Sequence, residues 1–141
     1  LRGYLFDTTE PLFPFGYGLS YTQFEIGAPR LSATSIGVGG MVTVSVGVAN
    51  RGKRAGDEVV QLYIRDVVSS VTRPVKELRG FKRVTLGAGQ TTNVEFVLDR
   101  EDFQFWNKDM ERTVETGDFE IMVGPNSRDV KTAKLSIVGA L

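Results

Sequence analysis

The sequence predicts an all-β fold, a two-layer antiparallel β-sandwich of about seven short strands. Two observations carry this prediction. Apolar side chains recur at every second position over several short segments, and clusters of glycine and small polar residues separate those segments. A strand points alternate side chains to opposite faces, so each segment offers one apolar face to a core. Short strands at this spacing are typical of a sandwich.

The segment 41–48 shows the alternation most clearly, because four valines occupy one face and small or polar residues occupy the other. Further strands are expected where apolar residues again recur at every second position. These rows are Val60, Leu62 and Ile64; Val94, Phe96 and Leu98; Phe119, Ile121 and Val123; and Ala133, Leu135 and Ile137. Turns are expected between the strands at 37–40, 50–52, 87–90, 115–118 and 124–127.

The segment from Arg100 to Trp106 breaks the alternation and is expected to form one helical turn. Asp99 is a suitable N-cap, since its carboxylate can accept hydrogen bonds from the free amides of the first turn. Phe103 and Trp106 are three residues apart and would share one side of that turn. Trp106 is interpreted as a structural plug under the turn, because tryptophan is usually well buried, with stacking on a sugar ring as the alternative.

Five other aromatic residues fall within strand patterns. They are Phe24, Tyr63, Phe81, Phe96 and Phe119. Core packing or cross-strand pairing is expected for these rings, because both are far commoner in strands than ligand binding.

The residues before the first strand form an aromatic lead-in, which is densest at 11–21. Prolines and glycines interrupt it, so we expect an extended, ordered segment that is neither helix nor strand. Its rings are Phe13, Phe15, Tyr17 and Tyr21. They either pack on the flank of the sandwich or form an interface with a preceding domain, because exposed aromatic clusters rarely lack a partner.

Two parts are therefore expected along the chain. Residues 1–20 would be a connector or the tail of a preceding domain, and residues 21–141 would be the sandwich. The sequence starts at Leu1 and its first methionine is Met41, so we interpret it as an excerpt or a processed product of a longer protein.

Composition excludes several classes of function. Seventeen basic side chains balance seventeen acidic ones, so no net field favours nucleic acid or an anionic membrane surface, and neither is expected as a partner. The chain contains no cysteine and no histidine. That absence excludes disulfides, Ser–His–Asp and Cys–His catalysis, and imidazole or thiolate metal sites within these residues.

Carboxylates are the remaining candidates for chemistry. The clusters are Asp57 with Glu58; Asp99 with Glu101 and Asp102; and Asp109 with Glu111. Each lies at a strand end or in a loop beside basic residues, which favours a solvated rim of charge over a catalytic pair or a calcium site. We therefore expect no catalytic residue, no metal site and no cofactor in this chain.

Four segments resemble, in the right order, the C-terminal domain of family 3 glycoside hydrolases. They are 11–24 (PLFPFGYGLSYTQF), 48–63 (VANRGKRAGDEVVQLY), 71–84 (VTRPVKELRGFKRV) and 117–124 (GDFEIMVG). Phe105-Trp106-Asn107 resembles the periplasmic bacterial β-glucosidase branch in particular. The chain departs from the family at Asn50-Arg51-Gly52, where Asn-Thr-Gly is commoner. The likeness covers essentially the whole chain.

This resemblance implies an immunoglobulin-like, fibronectin type III-like sandwich. It also implies a parent enzyme that hydrolyses terminal β-linked glucose, or a related sugar, with retention of configuration. In the family, the nucleophilic aspartate and the acid/base glutamate lie in the two preceding domains, so no catalytic residue carries over to this chain. The implied partners are those catalytic domains of the same polypeptide, and the implied location is periplasmic or secreted.

Two hypotheses for the role of the domain follow. In the first, the lead-in and one sheet face dock on the catalytic body and hold its domains together. In the second, the domain is an independent carbohydrate- or protein-binding module, although no strand shows an evenly spaced row of exposed aromatics. The connection 66–74 is a further candidate for a domain interface, with Arg73 pairing to a carboxylate and Pro74 stiffening the loop; a plain surface loop is the alternative.

The first hypothesis predicts that the lead-in rings stabilise the parent enzyme. Replacing Phe15 and Tyr17 by alanine in the full-length enzyme should lower both the melting temperature and the turnover number, because apolar contacts between domains would be lost. Thermal unfolding and steady-state kinetics measure the two effects. Unchanged values would remove the idea.

Overall fold

The structure is a computed structural model that describes residues 23–67, 76–106 and 109–139, apart from the side chain of Trp106. These residues form an all-β sandwich, which confirms the predicted fold class. The strands are β1 (Phe24–Ile26), β2 (Arg30–Leu31), β3 (Ser35–Gly37), β4 (Val42–Asn50), β5 (Gly56–Asp66), β6 (Lys76–Leu86), β7 (Thr91–Leu98), β8 (Phe105–Trp106), β9 (Arg112–Thr113), β10 (Gly117–Gly124) and β11 (Lys131–Val138). A 3₁₀ turn spans Arg100–Phe103.

Two sheets make up the sandwich. In the first sheet, β4 is central, with β7 on one side and the short strands β1 and β2 on the other. The second sheet has the order β3-β11-β10-β5-β6, and only β3 pairs in parallel within it. The first strand of the sandwich is therefore broken into three pieces that pass from one sheet to the other. Counted as one strand, these three pieces and the six long strands (β4, β5, β6, β7, β10 and β11) give the predicted number of about seven.

The core lies where the predicted apolar rows of the two sheets face each other. The four valines of β4, at positions 42, 44, 46 and 48, are at most 2% exposed. Leu62, Ile64, Phe119, Ile121 and Leu135 are fully buried opposite them. Ala133 is only half-buried, so the row in β11 becomes shallow towards its start. Phe119 also contacts the ring of Phe103, edge to face, with centroids 5.4 Å apart.

The helical turn in the connection after β7 is shorter than the sequence indicated. Asp99 is the N-cap as expected: its Oδ1 accepts from the Glu101 amide at 3.0 Å, and Asp102 Oδ2 accepts from the Asp99 amide at 2.9 Å. The backbone of Gln104 is extended, at φ −85° and ψ 128°, so the turn ends at Phe103. The prediction that Trp106 shares a helical side with Phe103 was wrong, because Trp106 belongs to β8 and pairs with β9.

Phe81 also departs from the core packing considered for it. It is 49% exposed on the outer face of β6, opposite Gln61. In this part of the edge strand, the core side is taken by Val84 and Leu86, so Phe81 points away from the core. Tyr63 is buried on that same outer face, where its hydroxyl donates to Gln61 Oε1.

The sandwich has two distinct ends. At the Asn50 end, β4 finishes beside β1, and the first described residue, Gln23, accepts a hydrogen bond from the Arg51 amide at 2.7 Å. At the Met41 end, β4 begins beside the last residue of β7. The last residues of β5 and β11 and the first residues of β6 and β10 lie there too. The chain therefore enters the described domain at the Asn50 end.

Asn50 holds the turns together at the Asn50 end of the sandwich. Its buried side-chain amide donates to the carbonyls of Arg54 at 2.8 Å and Leu86 at 3.1 Å, and its Oδ1 accepts from the Gly52 amide at 2.9 Å. Its own backbone pairs with Gly89 and Gln90. One side chain thus joins the β4–β5 turn to the β6–β7 turn.

Arg79 organises the Met41 end in a comparable way. It is the extra residue of a β-bulge in β6, where Gly80 lies opposite Leu62 and Leu78 lies opposite Tyr63. Its guanidinium donates to the carbonyls of Asp102 and Gln104, both at 2.8 Å. It also stacks on Phe105, with the central carbon 4.6 Å from the ring centroid, and pairs with Glu77. Arg79 therefore fastens β6 to the 3₁₀ turn and to β8.

The contacts of Asn50 predict that Asn50→Asp lowers stability by about 2–4 kcal/mol. Aspartate has the same shape but cannot donate, so the Leu86 and Arg54 carbonyls would face a buried negative charge. Urea unfolding of the chain measures the change. As a control, Asn93→Asp should shift stability by less than about 0.5 kcal/mol, because Asn93 is exposed and only accepts from Arg30. Equal losses in the two variants would contradict the assigned role.

The contacts of Arg79 predict a second loss of stability, of about 2–3 kcal/mol for Arg79→Met, because two carbonyls and the Glu77 carboxylate lose their donor. Arg79→Lys should restore only part of it, since an ammonium cannot reproduce the planar fork. Arg83→Met, which removes an exposed ion pair with Asp57, is the matched control and should cost less than about 1 kcal/mol. A larger loss in the control than in Arg79→Met would contradict the role assigned to Arg79.

Candidate docking surface

The acidic clusters of the sequence make structural contacts. Asp57 accepts from both Arg83 Nε and Nη2, at 3.1 and 2.6 Å, and from Thr85 Oγ1 at 2.9 Å, and these bonds lower the pKa of its carboxyl. Burial raises the pKa of the neighbouring Glu58. Burial also raises the pKa of Asp102, whose side chain accepts from the backbone of Asp99 in the 3₁₀ cap. None of these contacts arranges two carboxylates about an open cleft.

Metal ligands are likewise not grouped. Asp109 and Glu111 are exposed on either side of Met110. Within residues 23–67, 76–106 and 109–139, there is no group of three or more acidic, histidine or cysteine side chains that could hold a metal ion. No helix formed by those residues has the length and apolar character needed to cross a membrane.

An open groove of about 430 Å³ lies near the Asn50 end of the first sheet. Its lining is Glu25, Gly27, Gly47, Val48, Ala49, Arg51, Thr91 and Thr92. Arg51 Nε donates to Glu25 at 2.8 Å across it, and this hydrogen bond lowers the pKa of Glu25. The groove contains no aromatic ring, so it lacks the stacking platform on which sugar rings commonly rest.

Exposed apolar side chains are concentrated at the opposite end. Among the described residues, the large apolar side chains that are exposed are Val38, Met41, Val67, Phe81, Val97, Met110 and Val138. Five of these seven lie at the Met41 end, and we call them the end patch: Val38, Met41, Val67, Met110 and Val138. Val97 is opposite Thr43, one register position from that end.

Strand pairing brings three members of the end patch, Val38, Val67 and Val138, to the same end of the second sheet. Val138 is the last residue of β11 and lies opposite Gly37 of β3, directly before Val38. Val67 follows β5 and donates its amide to the Asp118 carbonyl of β10 at 3.0 Å. Since β10 also pairs with β11, these side chains lie along neighbouring strand ends.

A tight turn presents Val38 and Met41. The Gly40 amide donates to the Gly37 carbonyl at 2.9 Å, and Gly39 adopts φ +89°, which favours glycine. A side chain at position 40 would approach the Gly37 carbonyl to 3.0 Å. The glycines thus close the turn, and Val38 in its middle is left with no strand face to pack on.

Met110 is the most exposed member, at 74%, between β8 and β9. Its φ of 64° lies in the left-handed region, which costs a residue with a side chain roughly 1–2 kcal/mol. Met110 lies in the loop that joins the paired strands β8 and β9, where a residue in the left-handed region commonly closes the turn.

The site residues expected from the sequence were Phe13, Phe15, Tyr17, Tyr21 and Arg73, and all five lie outside the described residues. The connection 66–74 is described only as far as Asp66, which is buried, and Val67, which belongs to the end patch.

The end patch was not predicted from the sequence. One signal was available, because a valine inside a glycine-rich turn and a methionine just before a strand have no core position.

Comparison with known proteins gives the family. Residues 58–127 match the fibronectin type III-like domain family. A β-xylosidase of Formosa agariphila is 50% identical over 95% of the chain, which covers 19% of that relative. A periplasmic β-glucosidase of Salmonella typhimurium is 42% identical over 96% of the chain, which covers 18% of it. The chain thus spans about a fifth of the length of the curated relatives it matches.

Solved structures agree with the fold and the family. A β-glucosidase of Erythrobacter marinus superimposes with a TM-score of 0.80 at 47% identity, over 90% of this chain and 17% of that one. A β-glucosidase of Listeria innocua, solved with glucose, gives a TM-score of 0.79 at 38% identity, over 92% of this chain and 18% of that one. Fold, motif order and relatives converge, and the chain belongs to the fibronectin type III-like domains of family 3 glycoside hydrolases.

Proposed function

We propose that this chain is the non-catalytic C-terminal accessory domain of an enzyme that hydrolyses terminal, non-reducing β-D-glucosyl or related residues. The observation that carries the proposal is the pattern of coverage. Relatives named β-glucosidase and β-xylosidase match almost all of this chain, yet the chain covers only 18–19% of their length. The catalytic residues would then lie in the remaining four-fifths of the parent polypeptide.

The catalytic step proposed for the parent is a double displacement with retention. One carboxylate attacks the anomeric carbon while a carboxylic acid protonates the leaving oxygen, and the same acid then activates water. Asp57 and Asp102, from two of the acidic clusters noted in the sequence, are engaged in strand and cap contacts instead. The proposed partners of this domain are therefore the catalytic domains, and sugar reaches it only through them.

The proposed role is to stabilise the catalytic domains. Its support is the apolar surface at the Met41 end, since a free-standing domain does not need exposed methionines and valines grouped at one end. Residues 1–20 would connect the domains, with Phe13, Phe15, Tyr17 and Tyr21 as interface rings, and Arg73 is proposed as a polar interface contact. A periplasmic or secreted location is proposed by analogy with the Salmonella typhimurium relative.

Removal of the domain tests this role. The full-length enzyme and a version that ends before Leu1 should be compared by thermal unfolding and by kcat/KM on aryl β-glucosides and aryl β-xylosides. We expect the truncated enzyme to melt at a lower temperature and to lose activity on heating before the intact enzyme does, because apolar surface of the catalytic domains would be exposed.

The same pair of proteins separates the alternative of an independent binding module. Such a module would leave melting and aryl-glycoside kinetics unchanged when removed, and would lower only retention of the enzyme on insoluble polysaccharide. Equal melting temperatures together with lost retention would therefore overturn the stabilising role.

A further inference from the structure

We infer that the end patch is the surface by which this domain docks on the preceding domains of its own polypeptide. The inference rests on the proposed function for the existence of those domains. It goes beyond that function by naming which of the domain's surfaces is covered and by what chemistry.

The distribution of apolar surface distinguishes the Met41 end. Five exposed apolar side chains lie there, with Val97 close by, whereas the Asn50 end is formed by the Arg51–Glu25 ion pair and the hydrogen bonds of Asn50. Phe81 is the one exposed large apolar side chain of the described residues that is well away from the Met41 end. Among residues 23–67, 76–106 and 109–139, exposed apolar side chains thus concentrate at one end of the sandwich, which indicates a contact made end-on.

The length of the connecting chain permits this arrangement although the chain enters at the other end. The 22 residues before Gln23 can span about 70 Å when extended. The longest strand, β5, has 11 residues and is about 36 Å long. The connector can therefore pass the whole sandwich, so the preceding domains are free to contact the Met41 end.

The size of the patch favours a tethered partner over a second copy of the chain. Stable association of separate proteins buries about 800 Å² on each partner, and five partly exposed side chains at one end of a sandwich fall short of that. Contacts between domains of one chain are smaller and more polar, and the tether supplies an effective concentration in the millimolar range. A patch of this size is sufficient for such a contact.

The chemistry of the patch describes the surface that fits it. Met110 is the most exposed member of the end patch, at 74%. The complementary surface on the preceding domains should therefore be an apolar recess that can receive this side chain.

The methionines of the chain provide the test without any substitution. In this structure Met41 is 62% and Met110 74% exposed, whereas Met122 is buried at 7%. The native full-length enzyme is treated with hydrogen peroxide or hydroxyl radicals, and the oxidation rate of each methionine is followed by peptide mass spectrometry. If the end patch is docked, Met41 and Met110 will oxidise as slowly as Met122, while Phe81 is modified readily by hydroxyl radicals. Rapid oxidation of Met41 and Met110 would overturn the inference.

Substitution gives a second, independent readout. Met41→Glu combined with Met110→Glu should lower the melting temperature of the full-length enzyme, because two charges would be buried at the contact. Phe81→Glu adds a charge to another exposed apolar site, 49% exposed and away from the patch, and should leave the melting temperature unchanged. Equal effects of the two changes would count against the patch.

The outcomes also separate this inference from the proposed function. If truncation destabilises the enzyme but Met41 and Met110 oxidise rapidly, the stabilising role stands and the end patch is not its surface. If truncation has no effect and the two methionines are protected, the patch is covered but the stabilising role fails.

Discussion

The four valines of β4 are the constraint on which the rest of the sandwich depends. β4 is the central strand of the first sheet, and its valines are removed almost completely from water by the rows of β5, β10 and β11. Burial of one such side chain contributes about 1.5–3 kcal/mol. A slip of one residue in β4 would turn all four valines to the outer face, so this row also fixes the register of β4 with its neighbours β1, β2 and β7.

The two ends of the sandwich are then determined by single polar side chains. Asn50 joins two turns through three side-chain hydrogen bonds, and Arg79 joins an edge strand to the 3₁₀ turn. Both side chains are largely buried and both bind backbone carbonyls. These contacts position the β4–β5 and β6–β7 turns at one end, and the 3₁₀ turn with β8 at the other.

The sequence predicted the fold class and most buried positions because alternation with a period of two leaves little choice of face. Phe81 does not pack in the core, because it lies an odd number of positions from Val84 and Leu86, which take the core side of β6. The prediction that placed Trp106 on the helical turn was wrong because a 3₁₀ turn of four residues cannot be distinguished by composition from a longer helical turn. The end patch is formed by residues far apart in the chain, so only the strand pairing brings them to one end.

The bulge at Arg79 has a consequence for the parent protein in solution. β6 forms an edge of the five-stranded sheet, and its 11 residues make it long enough to pair with a strand from another molecule. The extra residue breaks the regular spacing of amides and carbonyls halfway along, and Lys82 and Arg83 add charge to the half that follows. The same residue that fastens the 3₁₀ turn therefore makes this edge a poorer template for pairing with another strand.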